Sequence, residues 1–268
     1  MSFFGWSVKS GALRMSAVLC NSWHHRGMTS ESVPRAVRRR AREEIVREVV
    51  EAARRQLAVE GAPGLSLRAV ARELGMVSSA VYRYVAGRDE LLTLLIVEAY
   101  DALGAAAEDA ERKVARPATG ERWLAICHAV RDWARARPHE YALLYGSPVP
   151  GYQAPQATIG PATRVTALLS DVLRDAVAAD PAWQLQSGRD GEPPPWAAAM
   201  RPARPFVPEQ VPDELLVRGL MAWTYLFGAV SFELFGHRQG VLTSDPDLLR
   251  AFFAEESRRI GRLAGLPL

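Results

Sequence analysis

Short amphipathic segments separated by glycine-containing turns fill the first part of the chain. Apolar side chains recur every four residues at Ile45, Val49, Ala53 and Leu57, which predicts one buried stripe on a helix over 35–58. The sequence GAPG follows this stripe, and its glycines and proline predict the end of the helix. The pattern therefore indicates that the folded part of the chain begins with one amphipathic helix.

Two shorter helices are predicted after this turn. Ser66 is a suitable N-cap for the first, and Gly75 is a suitable C-terminal stop. The apolar residues between them follow the i, i+3, i+4 and i+7 spacing of one helix face: Leu67, Val70, Ala71 and Leu74. After the tight turn GMV, Ser78 is the expected cap of the next short helix, in which Val81 and Val85 face inward.

Helical patterns continue from Asp89, the expected N-cap of a long fourth helix, to the end of the chain. Residues 146–161 and 181–212 are rich in proline and glycine, which predicts a loop and a long irregular connection. No segment shows the sustained alternation of apolar and polar residues that a half-buried strand requires. The chain is therefore predicted to be all-α.

The two short helices have the spacing of a helix-turn-helix, in which the second helix enters the major groove of DNA. Residues 35–88 contain twelve arginines and six acidic residues, a net charge of +6, whereas the whole chain carries only +3. A basic domain attached to an acidic remainder is typical of nucleic-acid binding. We therefore expect Arg39 and Arg42, in the run RAVRRRAR, to contact DNA as a basic arm. The alternative is that the run forms a solvated helix face.

Composition and motifs argue against several other classes of protein. No run in the 268 residues approaches the roughly 18–20 apolar residues of a membrane-spanning helix, so no membrane association is expected. Cys20 and Cys127 lack metal-ligand spacing, and His24 and His25 have no third ligand nearby, so neither a metal nor a cofactor is expected. The chain has no phosphate-binding glycine loop and no HExxH motif, so an enzyme is not expected. The expected location is a reducing cytoplasm.

Through GLSLRAVARELGMVSSAVYRYVAGRDELL the sequence resembles the N-terminal DNA-binding domain of TetR-type bacterial transcriptional repressors. The resemblance covers about residues 41–95. It rests on an ordered series of residues: Gly64, Leu65, Ala71, Leu74, Gly75, Val77, Ser78, Tyr82, Arg83, Tyr84, Arg88, Asp89, Glu90 and Leu91. The sequence departs from the family pattern at Val85, where phenylalanine is usual, and at Arg88, where lysine is usual. Arg88 keeps the positive charge, so a phosphate contact remains expected there.

The resemblance implies two sets of DNA-contacting residues. Those expected to contact phosphates are Ser66, Arg68, Tyr82, Tyr84 and Arg88. Those expected to face bases are Ser78, Ser79 and Ala80, of which Ala80 is available to a thymine methyl group. Arg83 can reach either backbone or base. Tyr82 has the alternative of a half-buried core residue, Ser78 would be a cap with or without DNA, and Arg72 is left out because we expect it to pair with a surface acid.

The resemblance also implies an all-helical C-terminal domain that dimerises and encloses a ligand cavity. The stretch ARPHEYALLYGSPVPGYQAP suggests a pocket near five residues: Trp123, Cys127, Trp133, Tyr145 and Tyr152. In the apolar segment LMAWTYLFGAVSFELFG, the residues expected at a dimer interface are Trp223, Phe227, Phe232 and Phe235. Core packing within one chain would use the same aromatic residues, so both assignments have that alternative.

The predicted organisation has three parts. Residues 1–40 are a disordered extension and basic arm, residues 41–88 a three-helix DNA-binding domain with a helix-turn-helix, and residues 89–268 a larger helical ligand-binding and dimerisation domain. The expected function is that of a homodimeric repressor, released from a palindromic operator by an apolar or amphipathic small molecule. The alternatives are an activator or corepressor-dependent regulator of the same fold, a helical ligand-binding protein without DNA binding, and a helical enzyme with a fortuitous helix-turn-helix.

Overall fold

Regular structure is helical throughout the parts of the chain that the structure describes. The computed structural model describes residues 33–180, 195–202 and 213–268, where the one β-type pairing is an isolated bridge between Gln239 and Leu242. The α-helices in these ranges are α1 (Val33–Gly64), α2 (Leu67–Glu73), α3 (Ser78–Val81), α4 (Arg88–Glu111), α5 (Thr119–Ala136), α6 (Pro138–Tyr145), α7 (Ile159–Ala179), α8 (Asp213–Leu234) and α9 (Pro246–Leu263). The all-α prediction is confirmed. Residues 1–32 of the extension expected over 1–40, and most of the connection expected over 181–212, lie outside the described residues.

The chain divides into two compact units, Met1–Arg40 and Ala41–Leu268. The described residues of the first unit, from Val33 onward, are helical and form the beginning of α1. Residues 33–40, expected in a disordered extension, are therefore helical, and the role of their arginines as a basic arm stays a prediction. The physical reason is that alanine and arginine are strong helix formers, and Pro34 stands near the helix start, where proline is tolerated.

The turn between α2 and α3 is fixed by backbone hydrogen bonds. Gly75 has a φ of 65°, in the left-handed region that favours glycine. The Met76 N–H donates to the Ala71 carbonyl at 2.8 Å, and the Gly75 N–H donates to the Arg72 carbonyl at 3.2 Å. This pair of bonds is the Schellman pattern of a helix end. The predicted stop at Gly75 is therefore confirmed, and it sets the direction in which α3 leaves α2.

The N-terminal caps of the short helices differ from the sequence prediction. Ser66 is the N-cap of α2 as predicted, but Val77 rather than Ser78 is the N-cap of α3. The N-cap of α4 is Gly87, and Asp89 lies in the first turn, where a carboxylate interacts favourably with the helix dipole. None of these three N-caps has a side-chain cap hydrogen bond. Cap preferences thus locate the helix starts within two residues, but they identify the capping residue itself only for α2.

Helices α1 to α4 share one hydrophobic core, called here the N-terminal core. Its buried residues are Val49, Val50, Ala52, Ala53, Leu65, Leu67, Val70, Ala71, Val81, Val85, Leu91, Leu92 and Leu95. They include Val81 and Val85, both predicted to face inward on the third helix, although α3 ends at Val81 and Val85 follows it. The last three come from the first turns of α4, so this core extends beyond residue 88.

A second core, called here the C-terminal core, lies among α4 to α9. The Trp123 indole N–H donates to the Ser257 carbonyl at 2.8 Å and joins α5 to α9. The Tyr141 hydroxyl donates to the Phe227 carbonyl at 2.9 Å and joins α6 to α8, and burial raises the pKa of Tyr141 to about 12. Helix α6 was not predicted as a separate element. It begins at Pro138, because the fixed φ of proline suits the start of a helix.

Two arginines, Arg122 and Arg131, are buried in this core and are neutralised by carboxylates. Arg131, which is 0% exposed, donates from Nε and Nη2 to the two carboxylate oxygens of Glu233 at 2.7 and 2.6 Å. This bidentate pair joins α5 to α8. Arg122 pairs with Glu111 and Asp175 and joins α4, α5 and α7. Each pair ties helices together, and removal of one partner would leave a buried charge uncompensated.

Replacement of Glu233 by glutamine should remove the bidentate counter-charge of the buried Arg131 and leave only Asp132, whose carboxylate lies 3.8 Å from Nη1. We expect the free energy of unfolding to fall by about 3–5 kcal/mol, measured by urea denaturation. The double variant Arg131→Met/Glu233→Leu should recover most of this loss, because it removes both charges together.

The control for this experiment is Glu44→Gln, which alters the exposed ion pair between Glu44 and Arg47. It should change stability little, because exposed ion pairs are screened by water. Equal losses in Glu233→Gln and in the double variant would contradict the assignment of the buried pair.

Candidate nucleic-acid interface

Helix α3 buries one face and leaves the other exposed. Val81, at its end, and Val85, after it, are both 0% exposed in the N-terminal core. Ser79, Tyr82 and Arg83 are exposed. The Arg83 N–H donates to the Ala80 carbonyl and the Tyr84 N–H to the Val81 carbonyl, so a tight helical path continues beyond the end of α3. The segment therefore presents a hydroxyl, a phenol and a guanidinium to solvent from one short turn of backbone.

Helix α2 adds two arginines to this surface. Arg68 and Arg72 are exposed and lie four residues apart, on the same face of α2. Neither they nor Arg83 form an ion pair with another described residue. The expectation that Arg72 pairs with a surface acid is therefore corrected. We call the exposed residues Arg68, Arg72, Ser79, Tyr82 and Arg83 the α2–α3 surface.

On α1, by contrast, Arg54 and Arg55 are paired with carboxylates. Arg54 donates to Glu98 on α4 at 2.8 Å, and its Nε lies 3.4 Å from the carboxylate of Glu140 on α6. Arg55 pairs with Glu73 at 2.6 Å. Between Arg47 and Arg83, the arginines without a carboxylate partner among the described residues are therefore Arg68, Arg72 and Arg83.

Two of the predicted DNA-contacting residues, the exposed Arg42 and the half-buried Tyr84, contact the end of α3. Tyr84 is half-buried and packs against the N-terminal core. The Arg42 guanidinium lies over the Tyr84 ring, 5.7 Å from its centroid, and donates to the Arg83 carbonyl at 3.4 Å. A cation above an aromatic face is a stabilising arrangement. Arg42 and Tyr84 thus hold the end of α3 in place.

Arg88 makes a similar internal contact. Its Nη2 donates to the Ala62 carbonyl at 2.9 Å and lies 3.5 Å from the Pro63 carbonyl. These carbonyls follow Gly61, whose φ of 67° and ψ of 176° interrupt the helical path of α1. The guanidinium therefore satisfies backbone acceptors at the end of α1, and its side chain is half-buried there.

The remaining predicted residues are positioned as follows. Ser66 is half-buried, and its N–H donates to the Gln56 side-chain oxygen at 3.0 Å. Ser78 and Ala80 are half-buried, and Arg39 is exposed on α1 in the unit that ends at Arg40. Sequence reasoning placed Val77 in the turn and among the residues that carry the resemblance, but not among the expected DNA contacts, yet its side chain is 71% exposed beside Ser78. A branched apolar residue directly before a polar helix was the signal that could have identified it.

The five predicted pocket residues are divided between the two cores. Trp123, Cys127 and Trp133 are buried in the C-terminal core, and Tyr145 packs against it. The Tyr152 hydroxyl lies 2.9 Å from the Thr93 hydroxyl, and its ring packs against the N-terminal core. The structure therefore brings four of them together in one region, while the pocket itself remains a prediction.

The thiol of the buried Cys127 is protonated near neutral pH. Burial raises the pKa of the Cys127 thiol, so little reactive thiolate forms near neutral pH. Among the described residues, no group of three or more His, Cys, Asp and Glu side chains is arranged to hold a metal ion.

Exposed apolar residues line the last two long helices. Of the predicted interface residues, Phe232 is 54% and Phe235 41% exposed, whereas Trp223 is half-buried and Phe227 is buried. Further exposed apolar residues on α8 and α9 are Leu220, Met221, Leu248 and Phe252. With Phe232 and Phe235 these form what we call the α8–α9 surface. By length and composition alone α8 could cross a membrane, a test that core helices also pass; 33% of the apolar window is buried.

Known proteins match both parts of the chain. Residues 49–95 match the family described as "Bacterial regulatory proteins, tetR family", and residues 123–256 match "Tetracyclin repressor-like, C-terminal domain". HTH-type transcriptional regulator Rv1816 of Mycobacterium tuberculosis (strain H37Rv) is 42% identical over 213 residues, which are 79% of this chain and 90% of that protein. HTH-type transcriptional repressor DrrR1 of Streptomyces coeruleorubidus is 52% identical over 48 residues, 18% of each chain. The solved structure of regulatory protein SCO4313 has a TM-score of 0.65 and 32% identity, covering 82% of this chain and 97% of that one.

Substitution of Arg68 and Arg88 by methionine should separate a phosphate contact from an internal brace. Arg68→Met should make the slope of log K against log salt for DNA binding less steep by about 2 in a dimer, because two phosphate contacts are lost. Arg88→Met should leave the slope unchanged but lower the free energy of unfolding by about 1 kcal/mol, because a charged donor to the Ala62 carbonyl is lost. Fluorescence anisotropy at several salt concentrations measures the first effect, and urea denaturation measures the second. A reduced slope for Arg88→Met would assign that residue to the phosphate backbone instead.

Proposed function

Because the chain belongs to the TetR family of bacterial transcriptional regulators, we propose that it is a homodimeric repressor that a small apolar molecule releases from a palindromic operator. DNA binding through a helix-turn-helix is common to this family. Repression, dimerisation and release by a ligand are the finer parts of the proposal. A cytoplasmic location is expected for such a regulator, since its target is DNA.

The observation that carries DNA binding is the α2–α3 surface. Three arginines without an ion-pair partner among the described residues flank a half-exposed tyrosine and an exposed serine. Guanidinium groups bind phosphates in a planar, bidentate manner, and a recognition helix contacts base edges with its N-terminal residues. Arg68, Arg72 and Arg83 are thus assigned to phosphates, and Ser79 to the groove.

Dimerisation is supported by the α8–α9 surface. Six large apolar side chains are exposed on α8, directly after it and on the neighbouring α9, and exposed apolar surface of this kind is typical of an interaction site when it is contiguous. A second copy of the chain is the simplest partner, because a two-fold symmetric pair presents two recognition helices. When these lie about 34–36 Å apart, they fit successive major grooves of a palindrome.

Release by a ligand is supported by an aromatic cluster that joins three helices. The Tyr145 ring on α6 stacks on Phe227 of α8 with centroids 4.4 Å apart. The same ring meets Tyr100 of α4 edge-on at 6.1 Å. An apolar molecule that inserts among these rings would change the spacing of α4, α6 and α8.

The ionic contacts of Arg54 connect this region to α1. One guanidinium contacts carboxylates on α4 and α6, so a displacement of either helix acts on α1 of the DNA-binding domain. A ligand shifts the equilibrium only as far as its affinities for the two arrangements differ. The proposed ligand therefore binds more tightly to the arrangement that does not fit the operator.

Two observations bear on the alternatives. A relative named as a repressor matches the DNA-binding part of this chain, which favours repression over activation. The exposed arginines of α2 and α3 argue against a ligand-binding protein that does not bind DNA. A corepressor-dependent regulator differs in one outcome, since its ligand would tighten the DNA complex.

The first test is binding to a fluorescent duplex from the region upstream of the protein's own gene. Wild-type protein should bind this duplex more tightly than a scrambled duplex, with a salt slope of about −5 or steeper, because a dimer contacts several phosphates. The triple variant Ser79→Ala/Tyr82→Ala/Arg83→Ala should bind no better than wild type binds the scrambled duplex. Tyr84 is kept because it packs on the core. Circular dichroism should show unchanged helix content in the variant.

Two binding results would contradict the proposal or its assignment to the α2–α3 surface. Absence of wild-type binding at every salt concentration, both to the upstream duplex and to a library of genomic fragments, would rule out a DNA-binding regulator. Equal binding of wild type and triple variant would remove the α2–α3 surface from the interface.

Dimerisation is tested by introducing a charge at an exposed apolar position. Phe232→Glu, at a side chain that is 54% exposed, should convert the dimer to a monomer of about 29.5 kDa in size-exclusion chromatography with light scattering. The physical reason is that an interface must desolvate the new carboxylate without a partner. Val59→Glu, at a valine that is 85% exposed on α1, is the matched control and should remain dimeric. A wild-type monomer at micromolar concentration would contradict the proposed dimer.

A further inference from the structure

The residue at the start of α3 breaks two local preferences at once. Val77 is the N-cap of α3, with φ −69° and ψ 139°, and no side-chain cap hydrogen bond is formed there. Its side chain is also 71% exposed to solvent. Valine is among the least favourable N-cap residues, whereas serine, threonine, aspartate and asparagine are preferred because their oxygen accepts from a helix N–H. An exposed branched apolar side chain has no stabilising role of its own at this position.

Positions where a sequence breaks local rules are frequently functional. Neither the N-terminal core nor the C-terminal core includes Val77, so packing within the chain does not account for it. The neighbouring Ser78 and Ser79 are residues that cap well. The apolar group therefore occupies the one position of this turn where a polar residue would stabilise the helix most.

We propose that Val77 contacts the C5-methyl group of a thymine in each half of the operator, and so selects thymine at that position. The inference rests on the proposed function, because it requires α3 to enter the major groove. The N-terminal end of a recognition helix is the part that contacts base edges there. The thymine methyl is the apolar group that the major groove presents, and aliphatic side chains recognise it by direct contact.

The exposure of Val77 also changes the role expected of Ala80. Ala80 is half-buried and offers a single methyl group, whereas Val77 offers two methyl groups on a side chain that is mostly exposed. Val77 therefore presents the larger apolar surface at the N-terminal end of α3. The hydroxyl of Ser79, exposed on the same short helix, remains available for hydrogen bonds to bases.

The test removes single methyl groups from the DNA. The operator is first mapped by footprinting on the upstream duplex, and each thymine is then replaced in turn by deoxyuridine, which lacks only the C5-methyl group. For wild type, one position in each half-site should show about a fourfold loss of affinity, and both together about a 15-fold loss, since one methyl-sized apolar contact is lost per half-site. The readout is fluorescence anisotropy at constant salt.

Variants of Val77 identify the protein partner of that methyl group. Val77→Ala should weaken binding to the thymine operator and abolish the effect of deoxyuridine at that position, so that the two changes are not additive. Val77→Thr keeps one methyl group and gains a cap, so it should retain part of the deoxyuridine effect and melt at a higher temperature. Val59→Ala removes an equally exposed valine from α1 and should leave the deoxyuridine effect as in wild type.

The outcomes distinguish this inference from the proposed function. Wild type that binds the operator but tolerates deoxyuridine at every position overturns the role of Val77 and leaves the regulator intact. A deoxyuridine effect that persists undiminished in Val77→Ala assigns the contact to another residue and also overturns the inference. Wild type that binds no DNA overturns the proposed function together with this inference.

Discussion

Helix α4 belongs to both hydrophobic cores, and the rest of the structure depends on this sharing. Its first turns contribute Leu91, Leu92 and Leu95 to the N-terminal core, and Ala99 and the residues after it belong to the C-terminal core. The 24 residues of α4 form a rod about 36 Å long. Because closely packed interiors resist continuous deformation, a change in the packing of the C-terminal part of α4 is transmitted to its N-terminal part. The shared helix is the route by which the proposed ligand would act on α3.

The short recognition helix is stable only because its surroundings hold it. Four residues of α-helix are far too few to be stable alone, since nucleation of a helix is costly. Val81 and Val85 anchor it from below, the Schellman turn at Gly75 fixes its start, and Arg42 with Tyr84 holds its end. Because these residues hold α3 in place, the residues exposed on α3 are not needed for its stability. A poor cap at Val77 can therefore persist, because neighbouring contacts maintain the helix.

The sequence predicts burial better than it predicts partners. The inward faces of α2 and α3 and the stop at Gly75 follow from periodicity and from the conformational freedom of glycine, so they could be derived directly. The contacts of arginine could not, because a guanidinium on a long side chain can bind a phosphate, a carboxylate or a backbone carbonyl with equal chemical logic. Arg88, expected at a phosphate, donates to the Ala62 carbonyl, and Arg72, expected in a surface pair, has no ion-pair partner among the described residues. Such choices depend on which groups the fold brings within a few ångströms.

The same limit explains why the aromatic residues of the C-terminal part could not be assigned from spacing. Helix α8 is apolar on nearly all sides, which indicates two apolar neighbours but does not name them. The structure shows what lies on one side of α8: the Phe227 ring stacks on Tyr145 of α6, and Glu233 pairs with Arg131 of α5. Phe232 and Phe235 remain exposed to solvent. Since a buried ion pair fixes one side of α8 against the core, the exposed apolar side is held in a constant orientation, which is the property that a symmetric interface between two copies requires. By composition alone, α8 is comparable to a membrane-spanning helix. Such a helix would leave the ion pair between Glu233 and Arg131 of α5 unexplained. The proposed dimer of the folded chain explains both apolar sides of α8, because one side packs on the core and the other would contact the second copy.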